Sequence, residues 1–447
     1  MAKIEKPLNL KEILDKHAPE VLALLPSYGV VDAKGRYLHW NQFKRRLPAG
    51  TNRHAAWGAV KIARSGVLRD SGLVSEQGLP FRFFIPDSCH KTLHDVEQLN
   101  GRLGQSEAHT SATENRRYLV NSLMMEEAIS SAQLEGAATT RQVAKEMLAN
   151  ERPPRSEDER MILNNYLLMR AAKHEKQSEL TIDLICQFHQ TATTGIKEDV
   201  VHPGSIRERD DIYVGSDNDI AHQPPAAHLL PERLQSLCDF ANEAHDGMDG
   251  RIFIHPVVKA IILHFMLGYE HPFVDGNGRT ARCLFYWFML KNGYWAFEYI
   301  SISSLLKEAP VQYGEAFIYT ETDEMDLTYF IVYQLQIIER AINEFLDYIE
   351  ERKKEFYELM EWLEETGIQK KLNYRQGHLL KKALRNPGRV FTAKEVTHDY
   401  DISDGTARTD LELLVKLKVL GKVKEGKTFL YIARSDAADA IRRLSAK

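Results

Sequence analysis

Residues 271–282 read HPFVDGNGRTAR. Two glycines, an asparagine, two arginines, an aspartate and a histidine share twelve positions. Gly276, Asn277 and Gly278 tolerate positive φ, so their backbone N–H groups can converge on one point. A helix starting there would aim its dipole and its unpaired N–H groups at the same point, which favours an anion. Arg279 and Arg282 are three apart and share a face of that helix near its start. Two guanidiniums beside an N–H nest describe a polyphosphate site. Asp275 would repel phosphate unless a divalent cation such as Mg2+ sat between them. His271 carries the side chain whose ordinary pKa suits taking a proton near neutrality. Base, metal carboxylate, nest and arginines together describe nucleotide-phosphate chemistry. The plain alternative is a glycine-rich helix–helix turn with surface charges. A lone Gly-Asn-Gly would support it, but all the partners in one run favour the phosphate site. Zinc is disfavoured, because His255, His264 and His271 are nine and seven residues apart and lack i, i+4 pairing. His264, inside an apolar segment, reads as a hydrogen-bonded core histidine.

Such a turn needs rigid supports. Val257, Val258, Ile261, Ile262 and Phe265 give the preceding helix a buried side, and Leu284, Phe285, Trp287 and Phe288 do the same for the following one. Helical periodicity begins near residue 94 and continues through 116–148, 157–174, 180–195, 232–244, 255–270, 279–292 and 300–320. It ends with a charged connecting stretch at 326–366. The 116–148 run breaks at Gly136, which reads as a C′ residue, with Thr140 as the next N-cap. Residues 201–231 are rich in Gly, Pro, Asp and Asn and read as a loop or short hairpin, with DIYV as the strand-like run. Residues 1–95 are hard to assign beyond FRFFIPDS, which resembles a strand. In the tail, YRQGHLLKKALR reads as a helix stopped by Pro387-Gly388. Thr392 and Glu395 have capping-box spacing before the next helix. ISDGTARTDLELLVKLKVL reads as a third, and a hairpin turns at Glu425-Gly426. That order predicts a winged helix, and residues 374–434 carry thirteen Lys and Arg against seven Asp and Glu.

Bulk properties bound the rest. At 447 residues and net charge −5 the chain is globular and slightly acidic, which argues against nucleic-acid coating by the whole molecule. The division expected is 1–95 of uncertain fold, 96–370 as the core with its connecting helix, and 374–447 as the winged helix. Cys89, Cys186, Cys238 and Cys283 are too scattered for a disulfide framework or zinc knuckle. With no signal-like start and no span-length apolar run, the expectation is a cytoplasmic protein that does not enter membranes.

The run at 271–282 resembles the Fic family signature, H-P-F-x-D/E-G-N-G-R-x-x-R, at every fixed position. GSIR at 204–207 and AIILHFMLGYE at 260–270 are similar to the family too, and the likeness extends over about 110–370. It implies a mainly α Fic-type bundle and transfer of AMP from ATP to a Ser, Thr or Tyr hydroxyl of a target protein or of the chain itself. In that family pattern His271 is the general base and Asp275 holds Mg2+. Gly276, Asn277 and Gly278 form the anion hole, Arg279 and Arg282 bind phosphates, and Phe273 anchors the loop. The 210–228 segment would be the hairpin flap that clamps the target. A second family pattern, S/T-x-x-x-E-G/N, matches Ser131, Glu135 and Gly136 in a helix over about 117–136. It implies that Glu135 pairs with Arg282 and inhibits, and in some relatives that glutamate also assists AMP removal. Other relatives use another donor. A rival reading makes the chain a DNA-binding regulator, acting through 374–447, whose Fic core is a sensor. A homo-oligomer is also expected.

Overall fold

The computed structural model describes residues 4–106, 124–149, 152–196, 202–216, 219–298, 300–365, 372–425 and 428–445. Within them the chain divides into two units, one built from Met1–Gly104 with Leu123–Ile342 and one containing Asn343–Lys447.

The first unit opens with α1 (Leu10–Leu24), α2 (Trp40–Phe43) and α3 (Arg53–Ser65), packed around Ile13, Val21, Trp40 and Trp57. Asn9 starts α1 with a full capping box and Asn52 caps α3. A hairpin of β1 (Arg69–Val74) and β2 (Pro80–Phe83) follows, then α4 (Asp87–Ser106). The strand-like FRFFIPDS contributes the last three residues of β2, where Phe81 and Phe83 alternate into the core.

The elements that carry the site come next. They are α5 (124–134), α6 (Arg141–Ala149), α7 (Glu157–His174), α8 (Ile182–Thr193), β3 (Val214–Ser216), β4 (Asp219–His222), α9 (Leu230–Asn242), α10 (Pro256–Glu270) and α11 (Asn277–Lys291). After them run α12 (Ile302–Glu308), α13 (Pro310–Thr322) and α14 (Thr328–Glu365), the last continuing into the second unit. Every residue of α10 except Pro256 and Gly268 is buried, as is every residue of α11 except Gly278 and Lys291. Helices buried all round form the centre of a bundle. Here α7 and α8 pack on α11, and α9 packs on α10. Each large apolar side chain so buried contributes about 1.5–3 kcal/mol.

Two expectations need correcting. The 300–320 stretch is two helices, because Pro310 lacks an N–H and crowds the residue before it; Ala309 sits at φ −136°, ψ 57°. DIYV is not a strand, since pairing begins only at Val214. The Asp210 carboxylate accepts from the Ala227 N–H and Gln223 donates to the Ile212 carbonyl, which leaves 210–213 as a loop. Residues 117–123 of the expected inhibitory helix lie outside the described residues.

The second unit contains α15 (Tyr374–Arg385), β5 (Val390–Thr392), α16 (Ala393–Tyr400), α17 (Asp404–Lys416), β6 (Leu420–Glu425), β7 (Thr428–Ala433) and α18 (Ala437–Ser445). Its sheet is antiparallel in the order β5-β7-β6 over a core that includes Leu379, Phe391, Leu411 and Tyr431. Thr392 caps α16, but the Glu395 carboxylate reaches Arg389 at 2.7 Å instead of turning back, so the box is half formed. Gly426 of the expected turn lies outside the described residues. No described helix is long and apolar enough to cross a membrane.

Candidate active site

The chain leaves α10 through His271, which caps the helix at φ 45°, ψ 55°. Its N–H closes the last turn on the Leu267 carbonyl at 3.1 Å. The Gly268 carbonyl lies 3.3 Å from Nδ1, so the ring keeps its proton there and its lone pair on Nε2. Burial holds the imidazole down near 4, which leaves it neutral and able to accept a proton at pH 7.

Phe273 is fully buried and stacks on His189 of α8, with centroids 3.7 Å apart and planes 2° from parallel. Asn277 closes a small ring with it: the Phe273 N–H donates to Oδ1 at 3.0 Å, and Nδ2 donates to the Phe273 carbonyl at 2.8 Å. The side chain of Asn277 is therefore committed to the loop, and only its backbone faces an incoming anion. Gly276 opens α11 at φ 79° with no side-chain cap, so the first N–H groups of the helix stay available. A Cβ at Gly276 would lie 2.8 Å from Thr193 Cγ2, so this position demands glycine on both counts.

The two arginines face different partners. Arg279 donates to the Ala192 carbonyl at 2.9 Å and pairs with Asp275, while its Nε has no partner. Arg282 is buried on α11 and meets α5: Nε donates to Ser131 Oγ at 2.9 Å and Nη2 to Glu135 Oε1 at 2.7 Å. Burial opposes the charge on Arg282, yet Glu135 keeps its pKa above the ordinary arginine value. Glu135 also crowds the helix start, since a Cβ on Gly278 would collide with its Oε1. Gly136, at φ 100°, turns the chain away directly after it. Ser131, Glu135 and Arg282 are thus brought together, and the Glu135 carboxylate occupies the start of α11 where an anion would bind.

Asp275 is 43% exposed on its side chain, which among the described residues binds Arg279. Among the described residues no group of three or more His, Cys, Asp and Glu could hold a metal ion alone. A single accessible carboxylate fits a cation that arrives on phosphate oxygens, which is how Mg2+ is commonly held.

Three further residues shape the site; no role was read for them from sequence, although Arg207 lies in the family-like GSIR run. His189 accepts from the Gly204 N–H through Nδ1 and donates from Nε2 to the Asp275 carbonyl, both at 2.9 Å; burial holds it near 4 and neutral. Arg207, the last residue of GSIR, donates from Nε to the His271 carbonyl at 3.0 Å and from Nη1 to the Arg209 carbonyl at 2.9 Å. It also bonds the Pro225 carbonyl, and its N–H reaches the Pro272 carbonyl at 2.9 Å. Glu127 is buried on α5 and accepts from Tyr286 Oη of α11 at 2.9 Å and from Ser301 Oγ at 2.8 Å, which holds α5 against α11. His264 behaves as expected, fully buried with Nε2 2.8 Å from Tyr313 Oη.

Residues 179–289, which hold the loop, α8, α10 and most of α11, match the family model described as Fic/DOC family. The chain carries a Fic domain. Over 116 residues it is 33% identical to "Protein adenylyltransferase Fic" of Drosophila willistoni, a match covering 26% of this chain and 21% of that protein. Over 120 residues it is 32% identical to "Protein adenylyltransferase fic-1" of Caenorhabditis elegans, covering 27% and 21%. The match thus spans about a fifth of the length of these curated relatives. Among solved structures the chain is similar to a Fic family protein from Desulfovibrio desulfuricans at TM-score 0.49 and 15% identity, over 76% of this chain and 96% of that one.

Proposed function

We propose that the Fic domain transfers AMP from ATP to a protein hydroxyl and that Glu135 restrains it. The observation that carries this reading is the Glu135 carboxylate lying against Gly278 and Arg282 at the start of α11, on an anion's ground. With Glu135 displaced, the N–H groups of 277 and 278 and the Arg282 guanidinium receive the phosphates. The target oxygen attacks the α-phosphorus, the bond to the bridging oxygen breaks, and pyrophosphate leaves. His271 Nε2 takes the hydroxyl proton. Asp275 would hold Mg2+, which when bound would supply positive charge against that developing on the leaving group. Arg279 orients Asp275, and the β3–β4 hairpin offers a short sheet edge near the base for an extended target segment.

The test is incubation of the full chain and a Glu135→Gly variant with α-labelled ATP, alone and in lysate, with labelled proteins identified by mass spectrometry. The reading requires label on protein hydroxyls that vanishes in His271→Ala. Label from γ-labelled ATP alone would point to phosphate transfer, and no label in either form would overturn the reading.

A further inference from the structure

At the end of the β3–β4 hairpin away from its turn, the His222 side chain reaches two helices. His222, the last residue of β4, is buried. Its Nδ1 lies 2.7 Å from Glu321 Oε2 of α13, and its Nε2 lies 2.7 Å from the Tyr269 carbonyl, two residues before His271. Both partners are acceptors. A neutral imidazole has one N–H and one lone pair, so it satisfies one oxygen and aims the lone pair at the other. Only the doubly protonated ring donates to both. The register sets His222 opposite Val214, so a contact that holds β4 also holds β3.

We propose that His222 is a positioning residue that clamps the hairpin to the end of α10 while both ring nitrogens carry protons, and releases it when one is lost. Its role in catalysis rests on the reading above, in which the hairpin presents the target. The groups around the ring come from three helices and one turn. Glu321 is on α13. Tyr269 and Glu270 are on α10, with His271 at its end. Glu270 is bound by Arg233 of α9 at 2.6 and 2.8 Å, and the Glu76 N–H reaches Tyr269 Oη at 3.3 Å. Burial works against a charge on His222, but Glu321, the Tyr269 carbonyl and Glu270 outweigh it and lift the imidazole above its ordinary value. Burial pushes His271 down near 4 and Tyr269 up to about 12, which removes both from the neutral range. A raised histidine has its clamp fully in place below the ordinary imidazole value and loses it as pH rises through the raised one.

Hydrogen–deuterium exchange of the β3 and β4 amides tests this in the full chain. Exchange is compared at about pH 6 and about pH 9, either side of the imidazole range, after correction for the intrinsic rate. Protection should fall at least about tenfold at the higher pH, the signature of about 1.4 kcal/mol. In His222→Gln it should be low at both. Glu321→Gln removes the acceptor that demands the second proton, so the pH step should shrink and the ring should titrate near its ordinary value by nitrogen NMR. Flat protection in the parent chain, or a neutral ring at about pH 6, would overturn the clamp. AMP transfer measured alongside in a Glu135→Gly background separates the two ideas. A protection step without transfer upholds the clamp and removes the catalytic reading; transfer with flat protection does the reverse.

Discussion

Replacing Glu135 should do two opposite things at once. Arg282 is 1% exposed and pairs with Glu135 at 2.7 Å. Taking one partner from a buried pair commonly costs about 3–5 kcal/mol, because the remaining charge is stranded. Here the loss is smaller, since Ser131 keeps its bonds to Arg282 at 2.9 and 3.3 Å and the Glu135 side chain is 31% exposed. A charged hydrogen bond of about 1.5–3 kcal/mol is the better measure. Glu135→Gly should lower stability by that amount. It should also free Arg282 for phosphate, and the same energy converts to an AMP-transfer rate about 10- to 100-fold higher at subsaturating ATP. Glu135→Gln, which keeps an acceptor but no charge, should fall between. Thermal melts with and without ATP–Mg2+ give the first quantity and α-labelled ATP the second. The signature is a variant that melts lower alone and gains more from nucleotide than the parent does. Equal nucleotide shifts in both proteins, or transfer no faster than the parent, would refute the idea that this carboxylate competes with phosphate.

Other outcomes follow from the same geometry. Gly276→Ala should unfold the loop locally and remove nucleotide binding, because its Cβ meets Thr193 at 2.8 Å at a φ of 79°; a parent-like melt and affinity would contradict this. Burial depresses His39, His189 and His271 to about 4 and His264 to about 3, so the unfolded chain takes up these protons first as pH falls. Stability should therefore decline from about pH 6.5 downward, and a melting temperature that rises on acidification would count against the assignment. For the same reason the transfer rate should not show an acid limb from His271 until near pH 4. Residues 374–447 expressed alone should melt cooperatively, since the core from Leu379 to Ile441 is built from that stretch; a fragment without a transition would place the boundary elsewhere.

The loop was legible because its chemistry is written in residue types that have few other uses together. The supporting helices were legible through apolar spacing, and Glu157–His174 coincides with the periodic segment. What stayed hidden depends on long-range partners. Nothing in QFHQTATT marks His189 as the ring beneath Phe273, because the stacking joins residues 84 positions apart. Arg207 sits in a polar loop whose composition suggests exposure, yet it is buried by carbonyls from both sides. β5 is three residues long and α18 follows a turn, too short a signal to separate from the chain around them. Single-helix continuity at 300–320 was a wrong inference from apolar content that gave Pro310 too little weight.

Arg207 has one more implication. Its guanidinium spans the carbonyls of His271 and Pro225, and its own N–H holds Pro272, so the two ends of the 210–225 excursion are tied to the residue that would take the proton. In the proposed reading, a substrate backbone laid on the hairpin edge is measured from a fixed origin. The protein then selects the reactive hydroxyl by how many residues it lies from the paired segment, as a ruler selects a mark, and less by the identity of its neighbours. Moving a reactive serine by one residue along an otherwise unchanged peptide would turn it to the opposite face of the strand and out of reach.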